Sequence, residues 1–226
     1  MPGKPLDPQN LQRDLGYILG GTLYHARFAS ICAPRLGLRV LEAGCGSGKF
    51  GLWYAWRSAD VTLLDIDPGV LVYTRALRDL MEKTLQDDPG IHQLSWVKIV
   101  EGSIFNLSRL YPDAPYDFVF NEGVPQHWPS SDWRRQHSIN QMVAVTKPCG
   151  VVCVMGSNGL CPDMVQYAQQ VSHTYSHMPN RQQPWLPEEL VRRMERAGLR
   201  GIEVAPVEAS EWEKSRLLVG WGRKPE

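Results

Sequence analysis

The chain has 226 residues, 43% of them hydrophobic, and its 24 basic side chains balance 24 acidic ones. That length fits one well-filled domain able to bury roughly 70% of its unfolded surface, and leaves no room for a second catalytic module. The composition excludes a disordered or fibrous chain, and the balanced charge excludes a general nucleic-acid binder, which needs a basic excess or patch to neutralise phosphates.

Residues 1–36 read as an N-terminal helical arm or lid, loosely held over its first ten residues, where Pro2, Pro5 and Pro8 fall. From Leu36 onward short β-rich runs alternate with helical patterns, the signature of an α/β fold with a parallel sheet. Arg39–Ala43 is the first predicted strand, followed by Gly44-Cys-Gly-Ser-Gly48 and a helix over Lys49–Trp56. Val61–Asp65 is the second strand. Pro68 then stands early in a helix whose apolar positions run from Val70 to Leu85. Leu94–Val100 reads as the third strand and Tyr116–Phe120 as the fourth. Trp133–Thr146 is a helix, Val151–Met155 the fifth strand and Pro187–Ala197 a further helix stopped by Gly198. Ile202–Val204 and Leu217–Trp221 are late strands with no helix-length segment between them, which predicts an antiparallel edge on the parallel sheet. Gln9–Leu36 and Ser157–Gln183 fall outside the sheet. Ligands of open α/β sheets sit beyond the carboxyl ends of the strands, so both segments are expected to cover a substrate.

The most specific feature is Val40-Leu-Glu-Ala-Gly-Cys-Gly-Ser-Gly48 with Asp65 seventeen positions after Gly48. A glycine turn lets a ligand approach the backbone, and an acid ending the next strand can accept two hydrogen bonds from a ribose diol, so the pair marks a nucleoside site. A dinucleotide fingerprint would place its third glycine at Lys49, and no Gly-Lys-Ser/Thr follows as in a phosphate loop. A nicotinamide-linked oxidoreductase is therefore the weaker rival.

With these residues the sequence resembles the class I S-adenosylmethionine-dependent methyltransferases of the small-molecule type. The resemblance runs in order through Val40–Gly48, Val61-Thr-Leu-Leu-Asp-Ile-Asp-Pro68, Glu101-Gly-Ser103, Tyr116–His127 and Val145–Gly150. It implies a doubly wound, seven-stranded, mostly parallel sheet with an antiparallel last strand, a Rossmann-like fold. It also implies a catalytic domain at 37–226, preceded by the arm of 1–36 and carrying a lid insertion at about 157–186. The resemblance implies S-adenosylmethionine as cofactor, released as S-adenosylhomocysteine.

Carried over residue by residue, the resemblance puts Gly44, Cys45, Gly46 and Gly48 against the methionine and ribose parts, with Glu42 near the amino group. Asp65 would hold the ribose hydroxyls and Ile66 flank the adenine, while Ser103 and Ile104 would meet its exocyclic amine. Many relatives carry an acid where this chain has Ser103. Asn121 would line the methyl-donor side, with Glu122 and His127 beside the acceptor.

Methyl transfer needs a base only when the acceptor must lose a proton; His127 is the first candidate and His173 the second. Trp128, Trp133, Tyr167, Tyr175 and Trp185 cluster in segments expected to border the pocket, so the acceptor is expected to be a small molecule of aromatic or apolar character. A noncatalytic S-adenosylmethionine-binding regulatory or partner protein is the alternative.

Other features read more plainly. Asp67 is a helix-start acid. Cys45 has no paired base and no nucleophilic role. His173 and His177 stand four apart without a third ligand, so no metal is expected. The stripe Arg192, Arg193, Arg196 and Arg200 reads as a solvated helix face. Asn121-Glu-Gly-Val124 lacks the tetrad of nucleic-acid amine methyltransferases, which argues against nucleic-acid substrates. Cys32, Cys45, Cys149, Cys153 and Cys161, an odd set without CxxC spacing, read as reduced thiols. With no signal peptide and no run of about 18 apolar residues, these point to a cytoplasmic protein without a membrane span, as monomer or homodimer.

Overall fold

The computed structural model describes residues 7–113, 115–128, 131, 133–170, 183–208 and 211–226. Seven strands form one sheet in the order β3-β2-β1-β4-β5-β7-β6. They are β1 (Arg39–Ala43), β2 (Asp60–Asp65), β3 (Lys98–Glu101), β4 (Tyr116–Glu122), β5 (Thr146–Ser157), β6 (Arg200–Pro206) and β7 (Leu217–Arg223). All neighbours from β3 to β5 pair in parallel, while β7 runs antiparallel to both β5 and β6. The sheet is thus the mostly parallel one expected, with the reversed strand slotted inside its edge. Because the chain leaves β1 toward β2 and β3 and returns on its other side as β4, the order reverses between β1 and β4, where open sheets bind ligands.

The helices are α1 (Pro8–Gly20), α2 (Leu23–Ile31), α3 (Lys49–Trp56), α4 (Pro68–Thr84), α5 (Leu107–Leu110), α6 (Trp133–Ala144), α7 (Pro162–Gln170) and α8 (Pro187–Arg196). Parallel strands buried on both faces need apolar residues on both, and each face has its own core. On one, Phe28, Phe50, Tyr54, Phe118 and Phe120 pack together, with the Phe28 and Phe120 ring centres 4.8 Å apart. On the other, Ile139, Met142, Leu190 and Met194 pack against Val152 and Val154.

The third strand departs from expectation. Leu94-Ser-Trp is not extended: Pro89–Trp96 forms 3₁₀ turns begun by Pro89, with Asp88 accepting from the Gly90 amide at 2.7 Å, and β3 begins only at Lys98. Proline at the first helical position with an acid before it outweighed the β-rich composition.

Polar contacts on each face set what surrounds the sheet's carboxyl end. On the first face α1 and α2 are tied to the body: the Tyr73 hydroxyl donates to Asp14 Oδ2 at 2.8 Å, Arg27 donates to the Pro206 carbonyl at 3.1 Å and the Tyr24 hydroxyl bonds Glu208. On the second, Arg135 is fully buried. Its Nη1 reaches both oxygens of Glu189 on α8 at 2.9 and 3.0 Å, its Nε donates to the Pro125 carbonyl at 3.2 Å, and Nη2 bonds the Gln183 carbonyl. The guanidinium also stacks 4.1 Å above the Trp185 ring. Arg193 joins the same carboxylate at 2.8 Å, so it is not the solvated member of a stripe that its spacing suggested.

Truncating Arg135 takes two hydrogen bonds from the buried Glu189 carboxylate, leaving it Arg193 alone among the described residues, and removes the donor from the Pro125 and Gln183 carbonyls; breaking such a buried pair costs about 3–5 kcal/mol. Arg135→Ala is expected to lower the urea midpoint accordingly, and an unchanged midpoint would remove Arg135 from its structural role. His25 is buried beside Phe50 and Trp53, and accepts the Thr22 amide on Nδ1 at 3.0 Å. Burial, with the Lys49 charge in the same direction, lowers its pKa to about 4. The unfolded chain takes up that proton near pH 6.5 and the folded chain does not, so this stability is complete above pH 6.5 and lost as pH falls toward 4. The total is on the order of 3 kcal/mol. His25→Leu is expected to flatten that acid limb in denaturation curves between pH 7 and pH 4.

Candidate functional site

The turn after β1 is built by backbone geometry first. Gly44 and Gly46 take φ of 80° and 53°, left-handed values that side chains resist. The Gly44 and Cys45 amides both donate to the Leu64 carbonyl, at 2.7 and 2.9 Å, which hangs the turn on β2. A Cβ on Gly44 would lie 2.4 Å from Val124 Cγ2, whereas one on Gly46 would meet nothing within 4 Å. Gly44 therefore packs the turn against the loop after β4, and Gly46 leaves open space over the backbone. Gly48 is a packing position: its Cβ would lie 2.8 Å from Thr74 and 2.9 Å from Leu63.

Asp65, at the end of β2, closes this turn. Its Oδ2 accepts the Gly46 amide at 2.9 Å and its Oδ1 accepts the Asp67 amide at 3.0 Å. A carboxylate offers about four acceptor positions, so two bonds to the backbone fix its orientation and leave capacity for a diol. Thr74 on α4 donates to the Gly46 carbonyl at 2.8 Å, and Asp67 caps α4 by accepting the Gly69 amide at 2.8 Å.

A cavity of about 950 Å³ opens over this turn at the point where strand order reverses. That is the upper end of the roughly 300–1,000 Å³ typical of small-molecule sites, enough for a nucleoside cofactor and a second ligand. Of the sequence-predicted residues, Glu42, Gly44, Cys45, Gly46, Asp65, Ile66, Ser103, Ile104, Glu122 and His127 stand in its wall. Among the predicted aromatic residues Trp128 and Tyr167 do too, whereas Trp185 is buried under Arg135 and Trp133 projects to the surface. His173, His177 and Tyr175 lie outside the described residues.

Two predicted positions do other work. Asn121 is fully buried away from the cavity wall; its Nδ2 bonds the Ala43 carbonyl and its Oδ1 accepts the Val124 amide at 3.1 Å, which locks the end of β1 to the loop after β4. Gly48 serves packing, as above. Ser103 caps the short turn at Ile104–Asn106 by accepting the Phe105 amide at 3.2 Å, so its hydroxyl remains able to donate.

The site's acids sit in a dry setting. Glu42 is buried, accepting the Gly51 amide at 2.9 Å, and burial pushes its carboxyl well above the ordinary range. Burial raises Glu122 as well, with the Lys49 charge opposing. Burial lowers His127, which favours the neutral imidazole. The Cys45 thiol is pushed well up, consistent with packing rather than attack.

Sequence reasoning missed other wall residues, among them Arg13, Lys49, Phe105, Gln126, Arg134, Ser157, Met164 and Leu217. Gln126 Oε1 accepts the Ser157 amide at 2.6 Å, and its carbonyl accepts the Gln183 amide at 2.8 Å, so the loop that carries His127 is pinned to β5 and to the start of the next described segment. The Phe105 and Trp128 rings meet edge to face at 4.9 Å. Arg13 lies in the 9–36 segment and Ser157 and Met164 in the 157–183 segment, both expected to cover a substrate, and Lys49 is the first helical residue after the turn.

Residues 41–154 match the family described as a methyltransferase domain. The chain belongs to that family. A curated relative, the malonyl-[acyl-carrier protein] O-methyltransferase of Pectobacterium atrosepticum, is 28% identical over 126 residues, 56% of this chain. The aligned part is 41% of that relative's length. Magnesium protoporphyrin IX methyltransferase from Synechocystis PCC 6803, solved with bound S-adenosylhomocysteine, superposes with a TM-score of 0.62 at 12% identity, over 95% of this chain and 87% of its own. A possible histamine N-methyltransferase from Thermotoga maritima superposes with a TM-score of 0.61 at 16% identity, over 95% of both chains. These likenesses share the methyltransferase fold.

The Asn121 lock gives a direct test of the methyltransferase turn. Asn121→Ala leaves a buried carbonyl and a buried amide short of partners, so a stability loss of about 1–3 kcal/mol is expected from chemical denaturation. A neutral result would assign the lock to other bonds.

Proposed function

We propose that this chain transfers a methyl group from S-adenosylmethionine to a small-molecule acceptor of aromatic or apolar character, with S-adenosylhomocysteine as product. The observation that carries the reading is the Asp65 carboxylate, oriented by two backbone amides beside a glycine turn with open space above Gly46. The residues fit the cofactor: Asp65 would hold its ribose, Ile66 flank its adenine, and Ser103 with the backbone at Ile104 meet the adenine amine.

When bound, S-adenosylmethionine supplies a methyl group already activated on a sulfonium sulfur. The protein's share is to orient, to exclude water and, where required, to move one proton. Phe105, Trp128, Met164 and Leu217 supply apolar wall for an acceptor. His127, favoured neutral by burial, is the group proposed to take a proton from an acceptor hydroxyl or amine. The relatives' named acceptors, malonyl-[acyl-carrier protein], magnesium protoporphyrin IX and histamine, differ too much to be carried over. No described helix is long and apolar enough to cross a membrane. The free cysteines support a reducing, cytoplasmic setting.

Calorimetric titration tests the reading. The purified chain is expected to bind S-adenosylhomocysteine and not NAD, and Asp65→Ala is expected to weaken that binding by roughly 1–3 kcal/mol through lost charge-assisted hydrogen bonds. Binding of NAD alone would overturn the reading.

A further inference from the structure

We propose that Lys49 and Glu122 together select the amino-acid end of the methyl donor, and that helix α1 holds Lys49 in place for that task. This rests on the methyl-donor reading above. Lys49 opens α3 immediately after the glycine turn, and Glu122 closes β4 on the other side of the order reversal; both side chains stand in the cavity wall. Among the described residues neither the ammonium nor the carboxyl has a hydrogen bond or an ion pair, and the two are not in ion-pair contact with each other. Their charges still feel one another, since Lys49 opposes the rise of both Glu122 and Glu42.

Two opposite charges that face one partly buried cavity without meeting are costly alone and favourable with a ligand that bridges them. An α-amino acid is such a ligand, carrying a carboxylate for Lys49 and an ammonium for Glu122 on one carbon. Glu42, the acid expected near the amino group, borders the cavity too but is only 1% exposed and holds its Oε2 on the Gly51 amide. Glu122 is the acid left for the ammonium. Of the other cations in the wall, Arg13 is largely exposed beside Asp14 and Arg134 is already engaged with a partner.

The position of Lys49 depends on the N-terminal helices. Its Nζ lies 4.7 Å from the centre of the Tyr17 ring on α1, a cation–π contact. Tyr17 is in turn packed at 5.2 Å from His25 and 6.1 Å from Phe50. An anion drawn to Lys49 thereby bears on α1, which makes the N-terminal arm a reader of the cofactor as well as a cover for the acceptor.

The test compares S-adenosylhomocysteine with 5′-methylthioadenosine, which keeps the nucleoside and thioether but lacks the amino acid. Lys49→Met and Glu122→Gln are each expected to weaken S-adenosylhomocysteine by about tenfold to a hundredfold and 5′-methylthioadenosine by less than about twofold, with Lys49→Arg retaining much of the affinity. In hydrogen exchange, S-adenosylhomocysteine but not 5′-methylthioadenosine is expected to protect α1, and Lys49→Met to abolish the difference. Equal weakening of both ligands, or no weakening of either, would overturn the proposal while leaving the methyl-donor reading intact. Failure of the unsubstituted chain to bind either ligand would instead sink the methyl-donor reading.

Discussion

The Asp65 carboxylate holds two turns at once. By accepting the amide of Gly46 it fixes the turn that leaves β1, and by accepting the amide of Asp67 it fixes the one that leaves β2. Thr74 on α4 then grips the Gly46 carbonyl, so both the N–H and the C=O of Gly46 are committed and its φ of 53° is held without a side chain. This constraint is local in space and spread along the sequence. It keeps the carboxyl ends of β1 and β2 at one depth, and the cavity floor follows from that.

The two faces of the sheet then contribute differently. The face under α1, α2 and α3 is a packed aromatic core beside titratable groups, with His25, Lys49, Glu42 and Glu122 near its upper edge. Burial there shifts titrating groups, which suits a site that must hold a cationic ligand and keep water out. The opposite face delivers the other wall. Arg135 gathers the loop at Pro125, the segment at Gln183 and helix α8 around one buried guanidinium, and Gln126 pins the same loop to β5. The wall over this face is thus framed by a buried polar hub, whereas the turn after β1 is framed by backbone.

Much of this was legible in the sequence where the determinants are local. Arg39–Ala43 and Lys49–Trp56 were read at their observed bounds because a β-rich run, a glycine cluster and a helix follow one another without interruption. Gly44, Gly46 and Asp65 were legible because the spacing itself encodes the turn. The third strand was misplaced because Leu94-Ser-Trp has strand composition, while Asp88-Pro89-Gly90 upstream had already committed the chain to 3₁₀ turns. Long-range contacts were hidden. Asn121 looked like a cavity residue, yet its amide is spent on Ala43, 78 positions away, and no local pattern announces that. Arg135 sat inside an ordinary helix pattern, and its partners Pro125, Gln183 and Glu189 come from three separate segments. Lys49 was passed over as the residue that breaks a dinucleotide fingerprint, although it stands in the cavity wall.

The central claim is that the Asp65-held turn is a nucleoside seat. A crystal structure of the chain soaked or grown with S-adenosylhomocysteine tests it most directly. The ribose diol is expected on the Asp65 carboxylate with the Gly46 and Asp67 amides still donating to it, and the adenine between Ile66 and Ile104. A nucleoside seated elsewhere, or an Asp65 carboxylate that keeps its backbone bonds and touches no ligand, would contradict the account.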